Sequence, residues 1–139
     1  LALVDKGYAA SVSGGLNPNI DPGTYVLSLT CASNFKPRKL LKYLDREIEK
    51  LQLKPVAESA IKRAQKQAKA LFAYGSDNIT NQAFWLGYAP VFADYNWFLN
   101  YVERLNAVTS ADLMRVANQY LDPQKRVVGF YLPGNGAQP

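Results

Sequence analysis

Few residues in this chain can do chemistry, and their spacing excludes more than it allows. Histidine is absent and Cys31 is the single cysteine. Without imidazole the chain cannot build a Ser-His-Asp or Cys-His relay or a paired-histidine zinc helix, and no side chain titrates near neutrality unless strongly perturbed. Catalysis by this chain alone is therefore not expected. One cysteine also excludes an internal disulfide, so nothing points to an oxidising compartment. Cys31 ends an apolar strand face and reads as a small buried hydrophobe, with no neighbouring base to activate a thiolate. Asp21-Pro22-Gly23 is turn chemistry, and Glu47 and Glu49 lie two apart on a helix and point in different directions. Gly14-Gly15 is not followed by Lys-Ser/Thr or by a helix, so it does not read as a phosphate cradle.

The net charge of +5 is concentrated rather than spread. Residues 36–69 hold eleven Lys or Arg against four acids, a balance of +7 that leaves −2 for the rest. Such a run suits either a solvated helix surface or an electrostatic footprint for phosphate, and no nucleic-acid motif accompanies it. The aromatic stretch 84–101 contains no Lys or Arg, which favours packing over a base-stacking platform. No binding of nucleic acid is expected.

Positioning these residues falls to one domain. The chain has 139 residues, 48% hydrophobic and 19% charged, which suits a single globular core. No apolar run nears the roughly 20 residues of a bilayer-spanning helix, and the start lacks signal-peptide order. The chain reads as soluble, with bacterial cytoplasm and periplasm both open. Two-residue alternation predicts strands over about 7–14 and 24–32, separated by a Gly, Pro, Asn and Asp-rich loop over 14–23. In the first strand Tyr8, Ala10 and Val12 oppose Ala9, Ser11 and Ser13; in the second, Tyr25, Leu27, Leu29 and Cys31 share one face. Helical spacing of apolar residues predicts helices over about 37–53, 56–73, 77–88, 94–105 and 110–121, with Pro37 in a first turn, Ser76 as an N-cap and Thr109-Ser110-Ala111-Asp112 as a capping arrangement. Residues 126–132 predict a third strand, and 134–139 a tail. The expected architecture is α+β, a two-layer arrangement of an antiparallel sheet covered by helices, forming a single partial domain over 1–133. Because the chain opens almost directly into a strand, further elements are expected before Leu1. An edge left open by such truncation invites pairing with a second copy in a crystal.

Four stretches in order carry a resemblance. Leu3-Val4-Asp5-Lys6-Gly7-Tyr8-Ala9-Ala10-Ser11-Val12 followed by Asp21-Pro22-Gly23, then Ile61-Lys62-Arg63-Ala64-Gln65-Lys66-Gln67 with Phe72-Ala73-Tyr74-Gly75, then Val108 to Leu113, then Tyr120-Leu121-Asp122-Pro123, resemble the later part of a domain of the insulinase-like zinc metallopeptidases, which include pitrilysin and the mitochondrial processing peptidase. The resemblance implies a domain that occurs as a pair closing around an unfolded peptide. One copy carries an inverted HxxEH zinc motif, absent here, and the Gly7-to-Val12 strand resembles the other, non-catalytic copy. It also implies an arginine before that strand and a tyrosine on it, both contacting substrate from across the cleft. Here the tyrosine position falls on Ala10 and the arginine position on Leu3 or Val4. Tyr8 lies two residues from Ala10 on the pleat, and only a one-residue register slip would change which set faces the cleft.

The resemblance thus implies the non-catalytic domain of a zinc metallopeptidase, the far wall of a peptide cleft with Ala10, Ser11 and Val12 as its candidate contacts. No cofactor is expected in this chain, and zinc is expected in a homologous partner domain on the same or another chain. The alternative is a catalytically silent subunit or scaffold that binds peptides or a partner domain; a third reading is a basic nucleic-acid-binding module.

Overall fold

The two alternating stretches form an antiparallel hairpin of β1 (Ala9–Leu16) and β2 (Tyr25–Cys31). The computed structural model describes residues 2–16 and 19–132; the predicted tail at 134–139 lies outside them. The ladder runs from Leu16 opposite Tyr25 through Val12 opposite Leu29 to Ser11 opposite Thr30, then slips so that Ala9 faces Cys31. Ala10 is the extra residue of a β-bulge. The slip corrects the expected faces: Ala9 and Val12 share the side of Leu29 and Cys31, whereas Ala10 leaves Val12's side. β1 also runs two residues past its expected end, so Gly14 and Gly15 pair with Leu27 and Val26 instead of opening a loop. A Cβ on Gly14 would stand 2.8 Å from the Tyr25 Oη and 2.9 Å from the Leu27 Cδ2, so glycine is what allows these side chains to lie across the strand.

Helix α1 (Pro37–Leu53) matches its expected span and lays Leu40 on the hairpin. Leu40 (2% exposed), Leu3 (6%) and Ala9 (3%) form the buried cluster, flanked by Tyr8, Leu29, Cys31, Phe35, Tyr43 and Leu44. The placement of Leu29 and Cys31 agrees with the predicted inward face of β2. α6 (Ser110–Tyr120) packs on α1 and opens with the anticipated capping box. Thr109 Oγ1 accepts from the Asp112 amide at 3.2 Å while the Asp112 carboxylate accepts from the Thr109 amide at 3.1 Å. Gln52 Nε2 donates to the Ala117 and Leu121 carbonyls, each at 3.2 Å, and the Asn118 amide returns a bond to the Gln52 carbonyl at 3.1 Å.

α2 (Glu58–Gly75) is tied to α5 (Tyr101–Ala107) by Gln65, whose Nε2 donates to the Leu105 carbonyl at 3.1 Å. The next helix, α3 (Ile79–Phe92), starts later than expected. Its N-cap is Asn78, accepting from the Asn81 amide at 2.9 Å. Ser76 closes α2 instead, its hydroxyl donating to the Phe72 carbonyl at 2.7 Å. The single helix expected over 94–105 is two, α4 (Tyr95–Leu99) and α5, divided at Asn100 with φ −96° and ψ 8°. Asparagine accepts that bridge conformation readily because its amide competes for backbone groups in non-helical geometry.

Residues 126–132 do not form the expected third strand; among the described residues the sheet has two. The segment runs along α1, tied by a two-pronged ion pair of Arg126 with Asp45 and by Arg38 at 5.5 Å over the Phe130 ring. Its alternation is real, with Val127 and Tyr131 almost fully exposed and Val128 and Phe130 at 40%. Alternation specifies an extended backbone with two unlike faces; a helix surface satisfies that as well as a neighbouring strand does.

Candidate functional site

One face of the hairpin is covered at its α1 end, around Ala9, Leu29 and Cys31, and exposed toward Leu16 and Tyr25; the other face is open along its length. Across the open face Ser11 stands opposite Thr30, Ser13 opposite Ser28 and Gly15 opposite Val26. These residues are exposed, as is Ala10. No ionisable side chain belongs to these pairs, and every side chain is small, so an extended backbone could approach closely. Val12 is separated from Ala10 and Ser11, since it pairs with Leu29 on the helix side and is 38% exposed. Alternation alone separates Ser11 from Val12, and the bulge moves Ala10 off the side of Val12.

The turn before β1 fixes the two candidate arginine positions. The Leu3 carbonyl accepts from the amides of Tyr8 at 3.0 Å and Ala9 at 3.2 Å, and the Gly7 amide donates to Val4 at 2.9 Å. Gly7 has φ +69°, a conformation that costs a non-glycine residue strain. Leu3 is thereby drawn into the core and cannot contact a ligand, whereas Val4 is 37% exposed. Tyr8 turns to the helix side, its ring stacked on Tyr43 at 4.4 Å and on Phe35 at 5.0 Å. The slip in β1 does not bring Tyr8 to the place of Ala10.

Other chemistry-bearing residues are dispersed. Cys31 is half-buried opposite Ala9. Glu47 pairs with Lys50 at 2.6 Å. Among the described residues no group of three His, Cys, Asp or Glu side chains is disposed to hold a metal ion. With no histidine in the sequence, the donor set does not fit the zinc of a peptidase centre. The aromatic stretch packs as a chain of ring contacts from Phe84 through Tyr88, Phe92 and Trp97 to Tyr101, which stacks on Phe72 at 4.6 Å.

One feature has no separate motif in the sequence. Lys39, Lys42, Tyr43 and Arg46 line a hollow of about 310 Å³ on α1. Its signal was the spacing i, i+3, i+4, i+7 inside the basic run, which places these side chains on one helical stripe. Elsewhere, the guanidinium of Arg126 is held above its ordinary pKa by its hydrogen bonds to Asp45, and the Asp112 carboxyl is lowered chiefly by the Thr109 hydroxyl.

The α+β fold, a two-stranded hairpin packed on helices, is one that solved peptidase domains share. It superposes with a TM-score of 0.83 on the inactive peptidase domain of a candidate zinc protease from Bordetella parapertussis, at 24% identity over 99% of this chain and 74% of that one. A candidate zinc protease from Bordetella pertussis gives 0.79 at 24% identity over 96% and 74%, and a protease from Helicobacter pylori 0.70 at 22% over 87% and 29%. No curated protein matches the chain in sequence. The sequence profile described as the Peptidase M16 inactive domain matches residues 1–68, the hairpin, α1 and the first half of α2. Over those residues, just under half of the chain, the sequence is similar to that insulinase-like family. Among the described residues no helix is long and apolar enough to cross a membrane.

Proposed function

We propose that this chain is the far wall of a peptide-binding cleft, set opposite a homologous zinc-bearing domain that performs the hydrolysis. The observation that carries the reading is the open face of the hairpin, where the bulge at Ala10 leaves Ala10 and Ser11 exposed beside Ser13, Ser28 and Thr30. Small uncharged side chains let a substrate backbone lie close without a desolvation cost for buried charge. The chain itself contributes shape and hydrogen-bonding hydroxyls; the reacting groups belong to the partner domain.

A second reading has its own support. Ala10 presents a methyl where the resemblance implies a tyrosine hydroxyl, and Leu3 is locked into the core. A subunit that binds peptide or partner without assisting hydrolysis would have this pattern. The cleft reading, and the second reading where the subunit holds peptide, require peptide at the hairpin, and a photo-reactive benzoylphenylalanine at Ser11 tests that requirement in the full protein. It should capture fluorescent peptides from a casein digest, whereas the same group at Lys66, exposed on α2, should not. Equal capture at the two positions would remove the hairpin from the account. Activity of the assembly with zinc then separates an active peptidase from a silent subunit.

A further inference from the structure

The hollow on α1 has an unusual charge arrangement. Lys39, Lys42 and Arg46 are all exposed, and none enters an ion pair among the described residues. Of the three acids on the helix, Asp45 is taken by Arg126 and Glu47 by Lys50. Like charges three and four residues apart oppose helix formation, and Lys39 lies in a first turn that has no acidic residue to complement the helix dipole. The fold bears these repulsions with no internal gain in charge pairing.

Aromatic rings, not carboxylates, steady two of the cations. The Lys39 ammonium lies 5.3 Å from the centroid of Phe35 and the Arg46 guanidinium 5.4 Å from that of Tyr43. Such contacts hold a cation in place without neutralising it, so the donors stay free for an anion. Tyr8 also stacks on Tyr43, with ring centroids 4.4 Å apart, so that ring is already engaged within the fold. Tyr8 immediately precedes β1, which sets the hollow beside the bulged end of the hairpin.

We propose that Lys39, Lys42 and Arg46 form an exosite that binds acidic segments of a peptide, carboxylates reaching the cations while the neighbouring chain lies toward β1. The identity of the occupant as a peptide rests on the cleft reading given above; the preference for carboxylates rests on the stripe itself. Binding of this kind is screened by salt and adds selectivity without touching the hydrolytic centre.

The test measures fluorescence anisotropy of a Glu-rich peptide, its Gln counterpart and a single-stranded oligonucleotide with the full protein. The variants are Lys39→Gln/Lys42→Gln/Arg46→Gln and the single reversal Lys42→Glu. Three exposed charge contacts predict a loss of about tenfold in affinity for the Glu-rich peptide in the triple variant, a smaller loss in Lys42→Glu, and an unchanged Gln peptide. Circular dichroism should be unaltered, since the substituted side chains are exposed. If both peptides bind alike and neither variant changes them, the exosite is refuted while the cleft reading stands. If neither peptide binds, both are refuted, and oligonucleotide binding lost in the triple variant would assign the stripe to nucleic acid instead.

Discussion

Leu40 is where the platform beneath the hairpin is most exposed to perturbation. It is 2% exposed and joins Leu3 and Ala9 in the cluster that fixes β1 to α1. Truncation to alanine removes the apolar transfer contribution and leaves a cavity, together about 2–5 kcal/mol. The chain has little reserve to absorb this. Its accessible surface is 10899 Å², against about 7,200 Å² for a compact monomer of the same mass, and among the described residues three of the six buried hydrophobics are alanine. A loss near 3 kcal/mol is therefore a large part of the about 5–15 kcal/mol that native proteins possess. With an unfolding entropy of about 2.1 cal/mol/K per residue over 139 residues, it corresponds to a fall in Tm of about 10 °C. Urea unfolding followed by far-ultraviolet circular dichroism should show a midpoint lower by about 2 M. Leu71→Ala, at a site 72% exposed, should stay within about 0.5 kcal/mol of the parent. Equal effects at the two leucines would refute the assignment of the core.

Two further perturbations examine the ties around that platform. Asp45→Asn removes the charged partner of Arg126; both side chains are about one-third exposed, so the cost should be about 1 kcal/mol, with faster proteolysis within 126–132 as the sharper readout. The Asp112 carboxyl titrates below its ordinary 3.8 because the capping box favours its charged form. Its contribution to α6 is thus present above that value and lost as pH falls through the lowered folded pKa. Thr109→Ala should return the Asp112 titration, followed by carbon-detected nuclear magnetic resonance, toward the ordinary value. An unchanged midpoint would remove the capping box from the explanation.

Most local structure was legible because local physics decided it. The span of α1 followed from Pro37 and the spacing of Leu40, Leu44 and Ile48, and the capping box followed from Thr109 and Asp112. What escaped depended on competition between equivalent local choices. Ser76 and Asn78 are both good caps, and only the fold assigns Ser76 to the end of α2 and Asn78 to the start of α3. Residues 126–132 have the alternation of a strand, but the ion pair of Arg126 with Asp45, far away in sequence, lays them on a helix. The bulge at Ala10 had no composition signal, since Ala9-Ala10-Ser11 offers three small residues of which any could be the extra one. That ambiguity fell on the candidate site and decided which of its residues face outward. The basic stripe was visible as a charge run, but not as a hollow, because its aromatic support joins Tyr8 and Phe35 to Tyr43 across separate elements.

The most direct test of the central claim is the zinc content of the native assembly, measured by mass spectrometry under non-denaturing conditions on protein purified from its source. The account predicts an assembly in which this chain accompanies a zinc-bearing domain, at least one zinc for each copy of the chain, and none bound by residues 2–132. An assembly free of zinc, or zinc bound by this chain itself, would contradict the account of the chain as the far wall of a metallopeptidase cleft.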